Sequence, residues 1–172
     1  MKPAHKEISG QPLPAMISAE ALAKIDRWLA KYPPDKKMSA VIPALTIVQH
    51  ENGGWLSNDL MDAVAAYLDM PTIAVYEVAT FYSMFELKPV GRHKIAVCTN
   101  ISCMLRGSDN IMRHLEKKLH IHPGETSSDG KFTIKEVECL AACGGAPMFM
   151  IGNHCYENLT PDKVDEILAQ LE

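Results

Sequence analysis

The sequence predicts a two-part α+β chain: a bundle of short helices, then a small α/β layer in which a few strands are flanked by helices. Three observations lead there. Apolar residues recur three and four positions apart, at helical spacing, as far as about residue 84. After Lys88-Pro89-Val90-Gly91 the pattern changes to short apolar runs punctuated by turn residues. Composition is that of an ordinary folded chain, 47% hydrophobic and 22% charged over 172 residues, which excludes disorder of the whole chain.

Residues 1–16 are rich in Pro, Lys, Gly and Gln and carry no apolar period, so a flexible tail is expected there. A helical bundle is expected over residues 17–88. Ser18 is a good N-cap, with Glu20 in the first turn where the macrodipole favours an acid. Leu22, Ile25, Trp28 and Leu29 follow at helical spacing until Pro33-Pro34 stops the run. A second helix starts near Ser39, uses Ile42, Leu45, Ile47 and Val48 as its apolar side, and ends at Gly53-Gly54. Ser57 caps a third, with Leu60, Met61, Val64 and Leu68 three and four apart. Pro71 suits the first turn of a fourth, over Ile73, Val75, Val78 and Phe81.

The α/β layer is expected over residues 89–172. His93 to Cys98 reads as a short buried strand. Met104 to Leu119 contains a helix whose start can fall as late as Gly107 or Ser108, with Ile111, Met112, Leu115 and Leu119 on one face. Ser128-Asp129-Gly130 is a hairpin turn between Glu125-Thr126 and the alternating strand Lys131 to Val137. Met148 to Ile151 is an apolar strand, and Gly152-Asn153 turns into a short Cys155-Tyr156 segment. Thr160-Pro161-Asp162 starts a last helix carrying Val164, Ile167, Leu168 and Leu171. Strand–helix–strand–strand–helix in this length makes a thioredoxin-like layer the natural candidate.

Charge and hydropathy exclude several classes. A net charge of -4 offers no basic stripe for phosphates, so nucleic-acid binding is not expected. No apolar run is long enough to cross a bilayer, and Met1 to Pro14 has no apolar core of a secretory signal. A soluble, cytoplasmic protein is the expectation.

The chemistry lies in the cysteines. There are five, an odd number with no export signal, which argues against a disulfide framework. Cys98-Thr99-Asn100-Ile101-Ser102-Cys103 and Cys139-Leu140-Ala141-Ala142-Cys143 form two close pairs, each where a strand gives way to a loop. Loops leaving the same end of one sheet can present four thiolates to one centre. Iron–sulfur clusters take four soft, anionic sulfur ligands, and electron transfer is the work such a centre does. Gly144-Gly145 after the last of these cysteines lets backbone amides approach sulfur without a Cβ in the way. Helix N-termini near Cys103 add a favourable dipole for an anion, and Arg106 can add a charge.

Competing readings stand beside this one. A structural zinc site would use the same four residues, although zinc knuckles usually carry two residues between cysteines and neither pair here does. A dithiol oxidoreductase needs C-x-x-C, which is absent. Cys155 reads as a small core residue, Pro147 as an ordinary loop proline in preference to a cis one, and Met104, Met148 and Met150 as packing. The aromatics of Thr80-Phe81-Tyr82 read as core in preference to a docking patch. No histidine pair has ligand spacing, and no glycine fingerprint for a dinucleotide exists, so neither NAD nor a flavin is expected on this chain.

Taken together, Gly53-Gly54-Trp55-Leu56, Val75-Tyr76-Glu77-Val78-Ala79-Thr80-Phe81-Tyr82, Pro89-Val90-Gly91-Arg92-His93 and the two cysteine pairs resemble one family, from about residue 18 to the C-terminus. It is the small, 24-kDa-type [2Fe–2S] subunit of respiratory NADH:quinone oxidoreductase, complex I. The resemblance implies an N-terminal helical bundle followed by a thioredoxin-like [2Fe–2S] ferredoxin domain. It implies one [2Fe–2S] cluster on Cys98, Cys103, Cys139 and Cys143; ligand count alone does not separate this from [4Fe–4S]. It implies a larger partner carrying FMN, a [4Fe–4S] cluster and the NADH site, and a place in a complex on the inner face of the cell membrane. Related subunits serve NAD-dependent formate dehydrogenases and NAD-reducing hydrogenases, and the motifs do not separate these complexes. A zinc-stabilised interaction module is the alternative of a different class.

Overall fold

The computed structural model describes residues 11–171. The chain divides between Pro89 and Val90 into two compact units.

The first unit is helical: α1 (Ala19–Leu29), α2 (Val41–Glu51), α3 (Asn58–Tyr67) and α4 (Thr72–Phe81). Local chemistry sets most of the boundaries. Ser18 Oγ accepts from the Ala21 N–H, and Ser57 Oγ from the Leu60 N–H, satisfying donors that a helix start leaves open. Pro43 sits in the first turn of α2, where its missing N–H costs nothing. Gly53 and Gly54, both at positive φ, end α2. Ile25, Leu45, Val48, Leu56, Val64 and Val75 are wholly buried in one core. Gln49 holds the exit from α4 by accepting from the Glu86 N–H (2.8 Å) and donating to the Met84 carbonyl (3.2 Å).

Two expectations fail in this unit. Leu13–Ala15 forms a 3-10 turn that buries Leu13 in the helical core, so residues 11–16 are not the featureless tail their composition suggests. A lone Leu between two prolines has no period to detect; only the packing around it shows its role. The rest of the expected tail, 1–10, lies outside the described residues. Phe81 (79% exposed) and Tyr82 face solvent, contrary to the core reading, because α4 turns Val75 and Ala79 inward instead.

The second unit contains β1 (His93–Cys98), α5 (Ile101–Leu105), α6 (Ser108–Leu119), β2 (Phe132–Val137), β3 (Phe149–Ile151), β4 (His154–Tyr156) and α7 (Pro161–Gln170). The strand order is β2-β1-β3-β4, with β1 parallel to β2 and antiparallel to β3, and β4 antiparallel to β3. A parallel β1–β2 pair requires a crossover, which α5 and α6 supply. Ile95, Val97, Ile111, Leu115, Ile134, Phe149 and Val164 form the core. The Asp165 carboxylate of α7 joins His114 (2.9 Å) and Lys118 (3.3 Å) of α6. Thr160 Oγ1 caps α7 by accepting from the Lys163 N–H.

Three further readings are corrected here. Cys155 is exposed, because β4 is a three-residue edge strand and its alternation turns this thiol outward. Met104 is exposed on α5 while Cys103 beside it is buried. The Ala146–Pro147 peptide is cis, a form that the tertiary amide of proline makes accessible.

Candidate metal centre

Both cysteine pairs lie at one end of the sheet. Cys98 is the last residue of β1, opposite Val137 at the end of its parallel neighbour β2, from which the chain runs directly to Cys139. Past Cys98 the chain is held close. Thr99 N–H donates to the Val137 carbonyl (3.1 Å), and Thr99 Oγ1 to Glu136 Oε1 (2.8 Å). Asn100 then starts α5, its Oδ1 accepting from the Ile101 N–H. One turn of α5 turns Cys103 inward, 2% exposed, while Ile101, Met104 and Leu105 face out.

Cys98 and Cys103 form a small buried cluster with Ala146 and Met148, against which Leu140 and Ala142 of the second cysteine loop pack. Met148 holds both cysteines of the first pair, Cys98 by its backbone amide and Cys103 by its thiol. Its carbonyl accepts from the Cys98 N–H (3.2 Å), and its backbone bonds the Cys103 sulfur. Burial pushes the Cys103 thiol up to about 11, helped by its hydrogen bond to Cys98 and by the charges of Cys98 and Cys143; the Met148 backbone acts in the opposite sense. Cys98 Sγ also reaches the Glu138 carbonyl (3.8 Å). Cys103 is thus near enough to Cys98 and to Cys143 to sense the charge of each.

The second pair is exposed. Between its cysteines Ala141 stands at φ +58°, a left-handed conformation that disfavours a residue with a Cβ, and its N–H donates to Cys139 Sγ (3.3 Å). The bend therefore directs an amide at a sulfur. After Cys143 the two glycines do different work. Gly144 has open space where a Cβ would go, as expected for amide access. Gly145 is buried, and a Cβ there would overlap Glu157, so its role is to let the chain pass that side chain. Arg106 is exposed, and its backbone N–H caps the Cys103 carbonyl (3.1 Å); its guanidinium is not among the groups acting on the Cys103 thiol.

These residues fit an anionic, thiolate-bound metal group. All four thiols are free, one pair is shielded by apolar side chains, and backbone N–H donors address Cys103 and Cys139. Among the described residues no three Cys, His, Asp or Glu groups are already gathered about a common point. Cys155 lies apart on β4. Sequence reasoning missed Met148 and the left-handed Ala141. A backbone contact leaves no mark on residue type, and Ala, unlike Gly or Asn, gives no sign of a left-handed angle.

A helical bundle followed by a four-thiol α/β layer defines the class of protein. The profile of the thioredoxin-like [2Fe–2S] ferredoxin family matches residues 25–172. The E subunit of NADH-quinone oxidoreductase from Rickettsia prowazekii is 49% identical over 142 residues, covering 83% of this chain and 80% of that one. The mitochondrial NADH dehydrogenase [ubiquinone] flavoprotein 2 of Dictyostelium discoideum is 42% identical over 166 residues, covering 96% and 67%. An NAD+-reducing [NiFe]-hydrogenase structure shares the fold over 76% of this chain, with a TM-score of 0.65 and 19% identity; the chain spans 22% of that longer polypeptide. The chain belongs to the thioredoxin-like [2Fe–2S] ferredoxins, in the family of the NADH-quinone oxidoreductase E subunits. Among the described residues no helix is long and apolar enough to cross a membrane.

Proposed function

We propose that Cys98, Cys103, Cys139 and Cys143 hold one [2Fe–2S] cluster, and that the chain is the electron-transfer subunit of the NADH dehydrogenase module of NADH:quinone oxidoreductase. The observation that carries this is the grouping of free thiols at one sheet end, where the second cysteine loop packs through Leu140 and Ala142 on the buried Cys98–Cys103 cluster. When bound, such a cluster takes up and passes on one electron at a time. The chain's residues supply the setting. Cys98 and Cys103 provide the shielded side, Met148 and Ala146 keep water from it, and the Ala141 N–H stabilises charge on the Cys139 sulfur. Cys139 and Cys143 provide the exposed side, where a redox partner can approach.

In this reading the partner is the larger subunit carrying FMN, a [4Fe–4S] cluster and the NADH site, with further subunits of a peripheral arm on the cytoplasmic face of the membrane. Relatives near half identity support the quinone oxidoreductase over a formate dehydrogenase or hydrogenase assignment.

Iron and acid-labile sulfide analysis of the purified chain tests the ligand set, with about two of each expected per chain. Cys139→Ser is expected to weaken or shift the EPR signal of the reduced protein. A colourless zinc protein, or an unchanged spectrum in the variant, refutes the assignment. Recovery of the flavin-bearing subunit with the tagged chain tests the partner, and recovery of a molybdenum or nickel–iron subunit instead overturns it.

A further inference from the structure

Past Cys143 the chain is fastened by the segment that joins β4 to α7. Asn158 N–H donates to the Gly145 carbonyl (2.6 Å), and Leu159 N–H to the Pro147 carbonyl (3.0 Å). Between these two held carbonyls lies Ala146, a member of the buried cluster with Cys98 and Cys103. Cys143 itself is exposed, and the turn it opens closes through the Gly145 N–H on the Ala142 carbonyl (3.0 Å). The place of this thiol therefore depends on how firmly the residues after it are held.

The bond to Gly145 has a support of its own. Asn158 stands at φ +50°, in the left-handed region that Asn tolerates better than most residues. The Glu157 carbonyl, the other side of the same peptide group, accepts from Lys163 Nζ (2.6 Å). In a trans peptide the C=O and N–H point in opposite directions, so this one group stands between an ammonium and the Gly145 carbonyl. A cation on the carbonyl polarises the group and strengthens the bond that its N–H donates.

Lys163 is also misplaced for the helix it belongs to. It is the third residue of α7, in the first turn, where the macrodipole disfavours a cation. Helix stability alone does not select Lys there; the bond to the Glu157 carbonyl gives it a use.

We infer that Lys163 is a positioning residue for Cys143: through the Glu157–Asn158 peptide it fastens the Gly145 carbonyl and so holds the loop of the fourth thiol in place for the cluster. The inference rests on the cluster assignment above.

The test uses the cluster-loaded full chain, as wild type, Lys163→Met and Lys163→Arg. Met keeps most of the side-chain length and removes both charge and donor, whereas Arg keeps both. With an iron chelator added, Lys163→Met is expected to bleach about fivefold faster than wild type, the weight of one ordinary hydrogen bond, and Lys163→Arg at the wild-type rate. Hydrogen–deuterium exchange read by mass spectrometry is expected to quicken in Lys163→Met over residues 143–147 and 157–159, with β1 and β2 unchanged. Should Lys163→Met take up no cluster while Lys163→Arg does, the exchange comparison is made on the unloaded chains, with the same pattern expected. Equal bleaching of Lys163→Met and wild type, or a loss of protection spread evenly over residues 90–172, overturns the role of Lys163. Wild-type protein lacking iron fails the parent reading instead, and is recognised before any variant is measured.

Discussion

Gly145→Ala probes how the second thiol loop is held. A Cβ built on Gly145 lies 2.5 Å from Glu157 Cβ and overlaps the Glu157 carboxyl group. Non-bonded carbons settle at about 3.5–4.0 Å, so turning the carboxyl away relieves one overlap and leaves the other. The backbone on both sides is bonded, Gly145 N–H to the Ala142 carbonyl (3.0 Å) and Asn158 N–H to the Gly145 carbonyl (2.6 Å). Overpacking a buried site costs about 1–3 kcal/mol, and weakening one of these bonds adds about 1 kcal/mol, for a total of about 2–4 kcal/mol. In a unit of this size, residues 90–172, the lower figure already lowers Tm by about 8 °C. Gly144→Ala is the internal control: nothing lies within 4 Å of its added Cβ, and its cost is expected to stay within ~0.5 kcal/mol. Thermal unfolding followed by circular dichroism and by visible absorption reads both variants. Equal melting of the two variants would refute the reasoning.

Other predictions test the scaffold. Leu45 is wholly buried in the helical core, so Leu45→Ala is expected to cost about 2–5 kcal/mol, read from the midpoint of urea unfolding at constant m. The Asp165 carboxyl is held below its usual value, first by the hydrogen bond from His114 and then by Lys118. A lowered carboxylate contributes stability that is present above pH 3.8 and lost as pH falls through the folded value. Asp165→Asn is therefore expected to flatten the acid limb of the stability profile below that pH, and an unaltered acid limb would disprove the contribution. Burial and the hydrogen bond to Asp26 raise the Tyr67 hydroxyl to about 12. Its stabilisation is full below pH 10 and lost between 10 and about 12, so Tyr67→Phe is expected to remove that alkaline dependence in a denaturation series.

The helix starts were legible because they are local. Ser18, Ser57 and Thr160 each satisfy an amide three residues on, an interaction that needs no other part of the chain. The bounds of β1 were legible because an apolar run stops at a residue of different chemistry. The expected hairpin near Ser128 was only partly so: Thr126 and Thr133 meet in an isolated bridge, and the strand proper begins at Phe132.

Residue types and spacing alone determined two parts joined near Pro89, the order of helices and strands apart from the short α5, and two thiol pairs leaving strand ends. These follow from periodicities of 3.6 and 2 and from the chemistry of caps, all written within a few residues. Only the tertiary structure decided that Phe81, Met104 and Cys155 face out, that Leu13 joins a core, that Ala141 is left-handed, and that Met148 binds both cysteines of the first pair. Each of these depends on which other element covers a face or supplies a backbone group, and contacts made across a fold leave no local period to read.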